Sequence, residues 1–557
     1  MKTNLFWLQC GGCGGDTMSL LNASSPTFIE AVRGLGLNIL WHPSFSALTS
    51  RAYRHQLDRL VAGSEHLTVL CVEGDLELMI EVSDGIVVDA WSCGTMYRDF
   101  ENMLKGRAPR DSLVLTPRVC GISGTAHLIA AAEAPDMVCG VTIPDNALLF
   151  RNLASMAELL QSDMRHGLLM FMPDFTNQCY EQTTFYQEAV ERYRPLSGSS
   201  TIDAIKHTRR IIEIVAIIGG QWPNSSYMVP GGVAGTMSRD DLINCRYVLS
   251  CFRDWYETSV LGCSIKRWQA VTCSKDLALW YQEAATHRAG EVGFLLRCCR
   301  ESGLDRLGGG HHRFISYGQF NYSAGDGLPP GAKVLASGFC DGELFEPFNQ
   351  ENITEHVTHS RFRDYLGGLY PFNGETVPLS DAADQGKYSL TKAPRYRDKP
   401  AETGPLAEML CSGVALFRDL VKTDGVSVMT RQLARLVRGV ILIPVMEQWL
   451  AAIDPDEPFY TPVKTIPDGR GYGVTVGCRG SFGHWVTIEN EMISRYQIIT
   501  PTAWNGSPRD TNHVRGPWEE AVIGTPVDDP DNPVQVAQVI RSFDACQVCS
   551  VHCIQKS

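Results

Sequence analysis

Two cysteine motifs near opposite ends of the chain constrain its fold more than any other feature. Cys546-Gln547-Val548-Cys549-Ser550-Val551-His552 places two thiols three residues apart and a histidine three further on. A Cys-x-x-Cys turn points two sulfurs inward, and soft thiolates select zinc, copper, nickel or iron–sulfur centres. One such motif is half a site. The other half is expected in Arg118-Val119-Cys120-Gly121-Ile122-Ser123-Gly124-Thr125-Ala126-His127. If the two share a metal, the whole intervening chain must fold so that both reach one buried point. No second Cys/His pair has finger-like spacing, which counts against a structural zinc site.

At 557 residues the chain is long enough for two or more cores. A formal net charge of -13 argues against nucleic acid or an anionic membrane surface as a partner. No apolar run is long enough to cross a bilayer; the longest, Arg438 to Met446, reads as core. The start of the sequence lacks a secretory pattern and a twin-arginine signal, so a cytoplasmic protein is expected. Nineteen cysteines in such a chain do not form a disulfide framework. Most are isolated and read as small buried apolar residues. Cys298-Cys299 has helix-like surroundings and no ligand spacing, so it reads as structural.

Along the chain, Asn4-Leu5-Phe6-Trp7-Leu8 reads as a short buried strand. It runs into the glycine-rich turn Cys10-Gly11-Gly12-Cys13-Gly14-Gly15-Asp16 and then a helix start at Thr17. A strand, a glycine turn and a helix N-terminus can cradle a phosphate, but no Gly-Lys-Ser/Thr follows. Leu37 to Ser44 and Leu67 to Gly74 continue a βαβ pattern. At Glu73-Gly74 the sequence changes character, which divides the chain into residues 1–72 and 73–557. Asp84-Gly85 predicts a hairpin turn. Residues 124 to 300 are mostly helical in pattern, with a long helix containing Asp163 and apolar helical spacing from Thr201 to Ile218. From about 310 to 405 glycine, proline and alternating patterns predict β-rich structure. His311-His312 reads as a solvated loop.

Together the two terminal motifs resemble those of the large subunit of [NiFe] hydrogenases, which read R-x-C-G-x-C-x-x-x-H near the start and D-P-C-x-x-C-x-x-H at the end. Ser123 stands where the second upstream cysteine is expected, and Ala545 replaces the proline. Further motifs agree in order: Arg98-Asp99-Phe100-Glu101, Lys387 to Tyr396, Glu402 to Leu406, Arg479-Gly480-Ser481-Phe482-Gly483-His484-Trp485 and Pro501 to Asn505. The loop from Gly219 to Val233 resembles uptake-type and sensory-type members. Residues before Glu73 are similar to the opening of the [NiFe] hydrogenase small subunit. The resemblance implies an α+β large-subunit-like fold, a central bundle of long helices with peripheral strands, preceded by a truncated flavodoxin-like α/β segment.

The resemblance also implies roles. Cys120 and Cys546 would be terminal nickel ligands, and Cys549 would bridge nickel and iron in a Ni-Fe centre whose iron carries CO and CN. Position 123 would supply the other bridge. A serine hydroxyl is harder and far less acidic than a thiol, hence a poorer bridge. Three outcomes stay open: an open or oxygen-ligated bridge, a single metal, or an empty site in a non-catalytic sensor, scaffold or relic. An active site would cleave H2 heterolytically. Arg479 would be poised above the metals, Cys546 would be the base, and Glu73 the first proton relay, with Asp163 and Asp544 flanking Arg479. Glu101 and His552 match a magnesium or iron site near the C-terminus, with Lys392 in its outer shell.

Electrons would leave through iron–sulfur clusters. Cys13 and Asp16 match two ligand positions, and alone they cannot hold a 4Fe-4S cluster. Either a partner chain completes it or the N-terminal segment only covers an interface. The implied partners are a small-subunit-like iron–sulfur protein and maturation proteins, in a hetero- or homo-oligomer.

Overall fold

The computed structural model describes residues 3–10, 37–41, 69–74 and a few short pieces between them. From 76 to 551 it describes all but 96, 196, 324–325, 327, 330, 380–385 and 546–549. Near the N-terminus, β1 (Thr3–Cys10), β2 (Leu37–Trp41) and β3 (Val69–Gly74) form a parallel sheet in the order β2-β1-β3. Strand β3 continues through Glu73 and Gly74, which pair with Gln9 and Cys10. A boundary between 72 and 73 therefore falls inside a strand of the N-terminal sheet.

Strands β4 (Leu76–Ser83) and β5 (Ile86–Gly94) form the expected antiparallel hairpin. Asp84 and Gly85 at its turn take φ of 51° and 75°, the left-handed pair that a two-residue hairpin turn requires. The short helix α1 (Phe100–Leu104) follows, then α2 (Gly124–Cys139) and the long α3 (Asp145–Arg165). Helices α4 (Ser199–Ile211), α5 (Arg239–Trp255) and α6 (Glu291–Ser302) continue the helical region. In α6 both Cys298 and Cys299 are fully buried, as their helix-like surroundings suggested.

Strands β6 (Arg313–Asn321) and β7 (Lys333–Asp341) pair antiparallel. Helices α7 (Pro405–Cys411), α8 (Val428–Val437) and α9 (Gly439–Ala452) return to the core, and α9 holds most of the apolar Arg438-to-Met446 run. Strands β8 (Gly469–Gly477), β9 (Gly480–Glu489) and β10 (Met492–Ile499) make a three-stranded meander. Helix α10 (Val534–Ser542) leads to the C-terminal motif, after which β11 (Ser550–Val551) pairs in parallel with Glu77 and Leu78 of β4. Among the described residues no helix is long and apolar enough to cross a membrane.

Helix α3 organises the core. Nineteen of its residues, from Asn146 to Arg165, are buried, including Arg151, Glu158, Asp163 and Arg165. A helix buried on all sides cannot be read by an apolar stripe, and its charges must find partners inside the protein.

Candidate metal centre

Strands β8 and β9 stay in register from Gly469 opposite Ile488 to Gly477 opposite Gly480, so Cys478 and Arg479 form the tip of the hairpin. Hairpin tips usually meet water. This one enters the core, with Cys478 fully buried and Arg479 only 3% exposed. Glycines allow it. A Cβ on Gly471 would lie 2.1 Å from the Ala134 carbonyl oxygen, and one on Gly473 2.1 Å from that of Ala130. The backbone of β8 therefore rests directly on α2, which fixes the tip against the N-terminus of that helix. Gly480 has φ of +125°, and a Cβ there would meet the Gly404 amide at 2.6 Å.

At the N-terminus of α2, Cys120 and Ser123 are both buried. The Ser123 amide donates to Cys120 Sγ at 3.4 Å. Arg479 Nη1 lies 3.8 Å from the same sulfur, and its Nε donates to the Ala545 carbonyl at 3.2 Å. One guanidinium thus touches the upstream motif and the residue immediately before Cys546. Cys546, Cys549 and His552 lie outside the described residues, as do Cys13 and Asp16. Glu73 is described in its backbone alone. Among the described residues no three His, Cys, Asp or Glu side chains converge enough to hold a metal.

A ladder of buried charges stands behind Arg479. Glu408 accepts from Arg438 Nη1 at 2.7 Å, and Asp163 accepts from Arg438 at 2.7 and 2.8 Å. Arg435 lies 3.6 Å from Asp163 and donates to Asp544 at 2.8 Å. Asp544 Oδ1 is 3.3 Å from Arg479 Nε and 3.8 Å from His166 Nε2. Three cations alternate with three anions, so the ladder is neutral while fully removed from water. Asp544 thus flanks Arg479 as expected, while Asp163 hydrogen-bonds Arg438 one step back. Burial works to raise the Asp544 carboxyl, but His166, Arg479 and Arg435 hold it below the ordinary value. Burial pushes the Asp163 carboxyl up to about 6 against the pull of Arg438.

Glu158 pins the start of α2 from the other side. Its carboxylate accepts from the Thr125 amide and Trp222 Nε1, both at 3.1 Å, and from the Ala126 amide at 3.4 Å. Burial raises it to about 7 despite those donors. His127, the last residue of the upstream motif, shares a 3.0 Å contact with His484, whose other ring nitrogen is 2.9 Å from Tyr496 Oη. Burial lowers both imidazoles, His127 to about 4.

A second polar pocket surrounds Glu101. Its Oε1 accepts from the Ile498 amide at 2.9 Å and from Gln497, and its Oε2 accepts from Thr376. Lys392 Nζ lies 3.9 Å from Glu101 and 3.5 Å from Glu355, at ion-pair distance without hydrogen-bond geometry. Burial raises Glu355 to about 7, Lys392 opposes this, and Glu101 adds to it.

Cys478, Glu158, Arg435, Arg438 and Glu355 were not singled out from the sequence. Cys478 directly precedes the Arg479 motif, and Glu158 lies one residue over a helical turn before Asp163. Those adjacencies were the available signals. His311 Nε2 donates to the Arg515 carbonyl at 2.8 Å, and His312 is exposed, in line with a loop role.

The family described as nickel-dependent hydrogenase matches residues 98–177 and 301–552. The chain is 32% identical over 519 residues to the periplasmic [NiFeSe] hydrogenase large subunit of Desulfomicrobium baculatum, spanning 86% of this chain and 93% of that protein. It is 26% identical to the hydrogenase-2 large chain of Escherichia coli K12, over 87% of this chain and 96% of the relative. Among solved structures, the reduced Ni-Fe-Se hydrogenase from D. vulgaris Hildenborough superposes with a TM-score of 0.71 at 30% identity. That match covers 85% of this chain and 96% of the other.

Proposed function

This chain belongs to the nickel-dependent hydrogenase family, and from that premise we propose that it is a large subunit cleaving H2 at a Ni-Fe centre. Electrons would pass to iron–sulfur clusters in a small-subunit-like partner. The family consists of oxidoreductases, and the α+β fold matches that of its large subunits. The observation that carries the reading is the Arg479 guanidinium, which contacts both Cys120 Sγ and the Ala545 carbonyl.

The residues present suit the group at most positions. Cys120 is a buried thiol beside a cationic wall, and the Ala545 carbonyl, one residue before Cys546 in sequence, meets the same guanidinium. Ser123 is the one departure. Cys120, Cys546 and Cys549 would hold the centre, and CO and CN would complete its iron. When bound, the group supplies the Lewis acidity that polarises the H–H bond and a sink for two electrons.

The chain supplies the rest. Arg479, locked by Asp544, closes the site with a fixed positive charge and excludes water. Asp163, through Arg438 and Arg435, keeps Asp544 in place. The proton is taken by the Cys546 sulfur and passed to the Glu73 carboxylate. Glu101 and His552 would hold a magnesium or iron ion, with Lys392 and Glu355 lining the pocket at Glu101. Cys13 and Asp16 either share a 4Fe-4S cluster with the partner or belong to a cover over the interface.

Nickel and iron analysis of the purified protein, with infrared spectroscopy, tests the reading. Stoichiometric nickel with bands from iron-bound CO and CN supports it; their absence removes it. Ser123 favours one second reading, a hydrogenase-like protein that senses or scaffolds without turnover. In that case metal is absent and no variant at other positions restores H2 uptake.

A further inference from the structure

We propose that Cys340 and Cys411 form a peroxide-reactive dithiol that closes reversibly to a disulfide. The pair lies outside both cysteine motifs, and its chemistry is independent of the Ni-Fe reading above.

Two distant elements bring the sulfurs together. Cys340 lies near the end of β7, and Cys411 is the last residue of α7. Both are buried, and their Sγ atoms are 3.8 Å apart although the residues are 71 positions apart in sequence. The end of the helix is fastened to the strand beside that contact. Cys411 Sγ donates to the Gly338 carbonyl at 3.4 Å, and Ser412 Oγ accepts from the Ala336 amide at 2.9 Å. The backbone therefore holds the two thiols face to face. Closing them to a bond of about 2 Å asks a sulfur to travel about 1.8 Å, within reach of a turn about its Cα–Cβ bond.

The two thiols are not equivalent. Arg418 is anchored at the same helix end, where its Nε and Nη2 donate to the Leu410 carbonyl at 3.4 and 3.3 Å. Contact with Cys411 holds the Cys340 thiol below its ordinary value, against burial and with help from the Arg418 charge. The same contact, with burial, pushes the Cys411 thiol well up. Cys340 is therefore the nucleophile, and Cys411 is the resolving thiol that keeps its proton. Cys411 also lies one helical turn from Glu408, which accepts from Arg438 at 2.7 Å. Closure thus pins to β7 the helix that holds one end of the charge ladder.

The co-reactant is hydrogen peroxide. The Cys340 thiolate attacks one peroxide oxygen, the O–O bond breaks, and an S–O bond forms. The departing hydroxide takes up a proton and leaves as water, with Cys340 now a sulfenic acid. The Cys411 sulfur then attacks the Cys340 sulfur, the S–O bond breaks, and the S–S bond forms. The Cys411 proton leaves with that hydroxide as a second water. Two thiols lose two electrons, peroxide gains them, and a dithiol reductant reverses the closure by exchange.

Hydrogen peroxide treatment of the folded full-length chain, then alkylation in denaturant and peptide mass spectrometry, tests this. The expected result is a peptide in which Cys340 is linked to Cys411, loss of both from the alkylated thiols, and recovery of both with dithiothreitol. Cys298 and Cys299, fully buried in α6, stay reduced. In Cys411→Ser nothing resolves the oxidised Cys340, so dimedone captures it as a sulfenic acid. In Cys340→Ser, Cys411 stays reduced. Three results overturn the inference: no linked peptide from the unaltered chain, a link that appears only together with oxidation of Cys298 and Cys299, or dimedone capture at Cys411 rather than Cys340 in the two variants. Should either variant not fold, the linked peptide from the unaltered chain decides the matter by itself. Nickel and iron analysis of the same sample separates the two proposals. A loaded centre without the link removes only the dithiol, and the link in a chain that never loads nickel or iron removes only the hydrogenase reading.

Discussion

Two buried charge clusters in this protein are built on opposite plans. Behind Arg479, three cations alternate with three anions, and Glu408, Asp163 and Asp544 each meet an arginine at 2.7 to 2.8 Å. Around Glu101, two carboxylates face one ammonium, and among the described residues Lys392 Nζ and Glu355 Oε2 have no hydrogen bond. The first cluster is complete without a guest. The second carries excess negative charge and unmet polar atoms, which in a protein interior signals a bound cation or water.

The largest effect is expected from breaking the ladder. Arg438→Met leaves Asp163 and Glu408 buried and facing each other, and should cost about 3–5 kcal/mol in denaturant unfolding. A loss under about 1 kcal/mol would mean the carboxylates take up protons instead and the ladder contributes little.

The Glu101 pocket should answer to added cation. Magnesium at a hundredfold excess over its dissociation constant should stabilise the unaltered chain by about 2.7 kcal/mol, and Glu101→Gln should abolish the response. Equal stabilisation of both proteins would erase the contrast between the clusters.

Gly473→Ala probes the ladder side alone. Its methyl has no room against Ala130, so a loss of about 1–3 kcal/mol is expected, with the magnesium response intact. If the magnesium response disappears as well, the two clusters are mechanically coupled.

The finest test is pH. The Glu355 carboxyl is raised from 4.5 to about 7, chiefly by burial. Between those values the folded state holds a proton that the unfolded state has released, so stability falls as pH rises through that window and levels off above it. The slope is at most about 1.4 kcal/mol per pH unit. Glu355→Gln should flatten it when measured without magnesium; an unchanged slope would assign it to the other carboxyls that burial raises, Glu133, Glu158 and Glu519 to about 7 and Asp163 to about 6.

Local pattern was legible where a segment has a single environment. The Asp84-Gly85 turn, the helix through Asp163 and the β-rich stretch from Arg313 were all readable, because turn chemistry and periodicity act over a few residues. Asp163 itself was not. A charged residue on a long helix reads equally well as a solvated face, and only Arg435 and Arg438, far along the chain, make it a buried partner. Cys478 was hidden for the same reason: an isolated cysteine has no spacing that places it, and its neighbours Ile122 and Glu158 come from elsewhere in the chain.

By itself the order of residues determined the family, the α+β fold and which side chains are chemically able to serve a nickel site, since those depend on motif spacing and residue type. Tertiary structure alone decided which of them meet. It drove the hairpin tip of Cys478 and Arg479 into the core through glycine contacts with α2, and brought Cys120 and Ala545 to one guanidinium. Packing between distant segments sets such distances, and no local pattern encodes it.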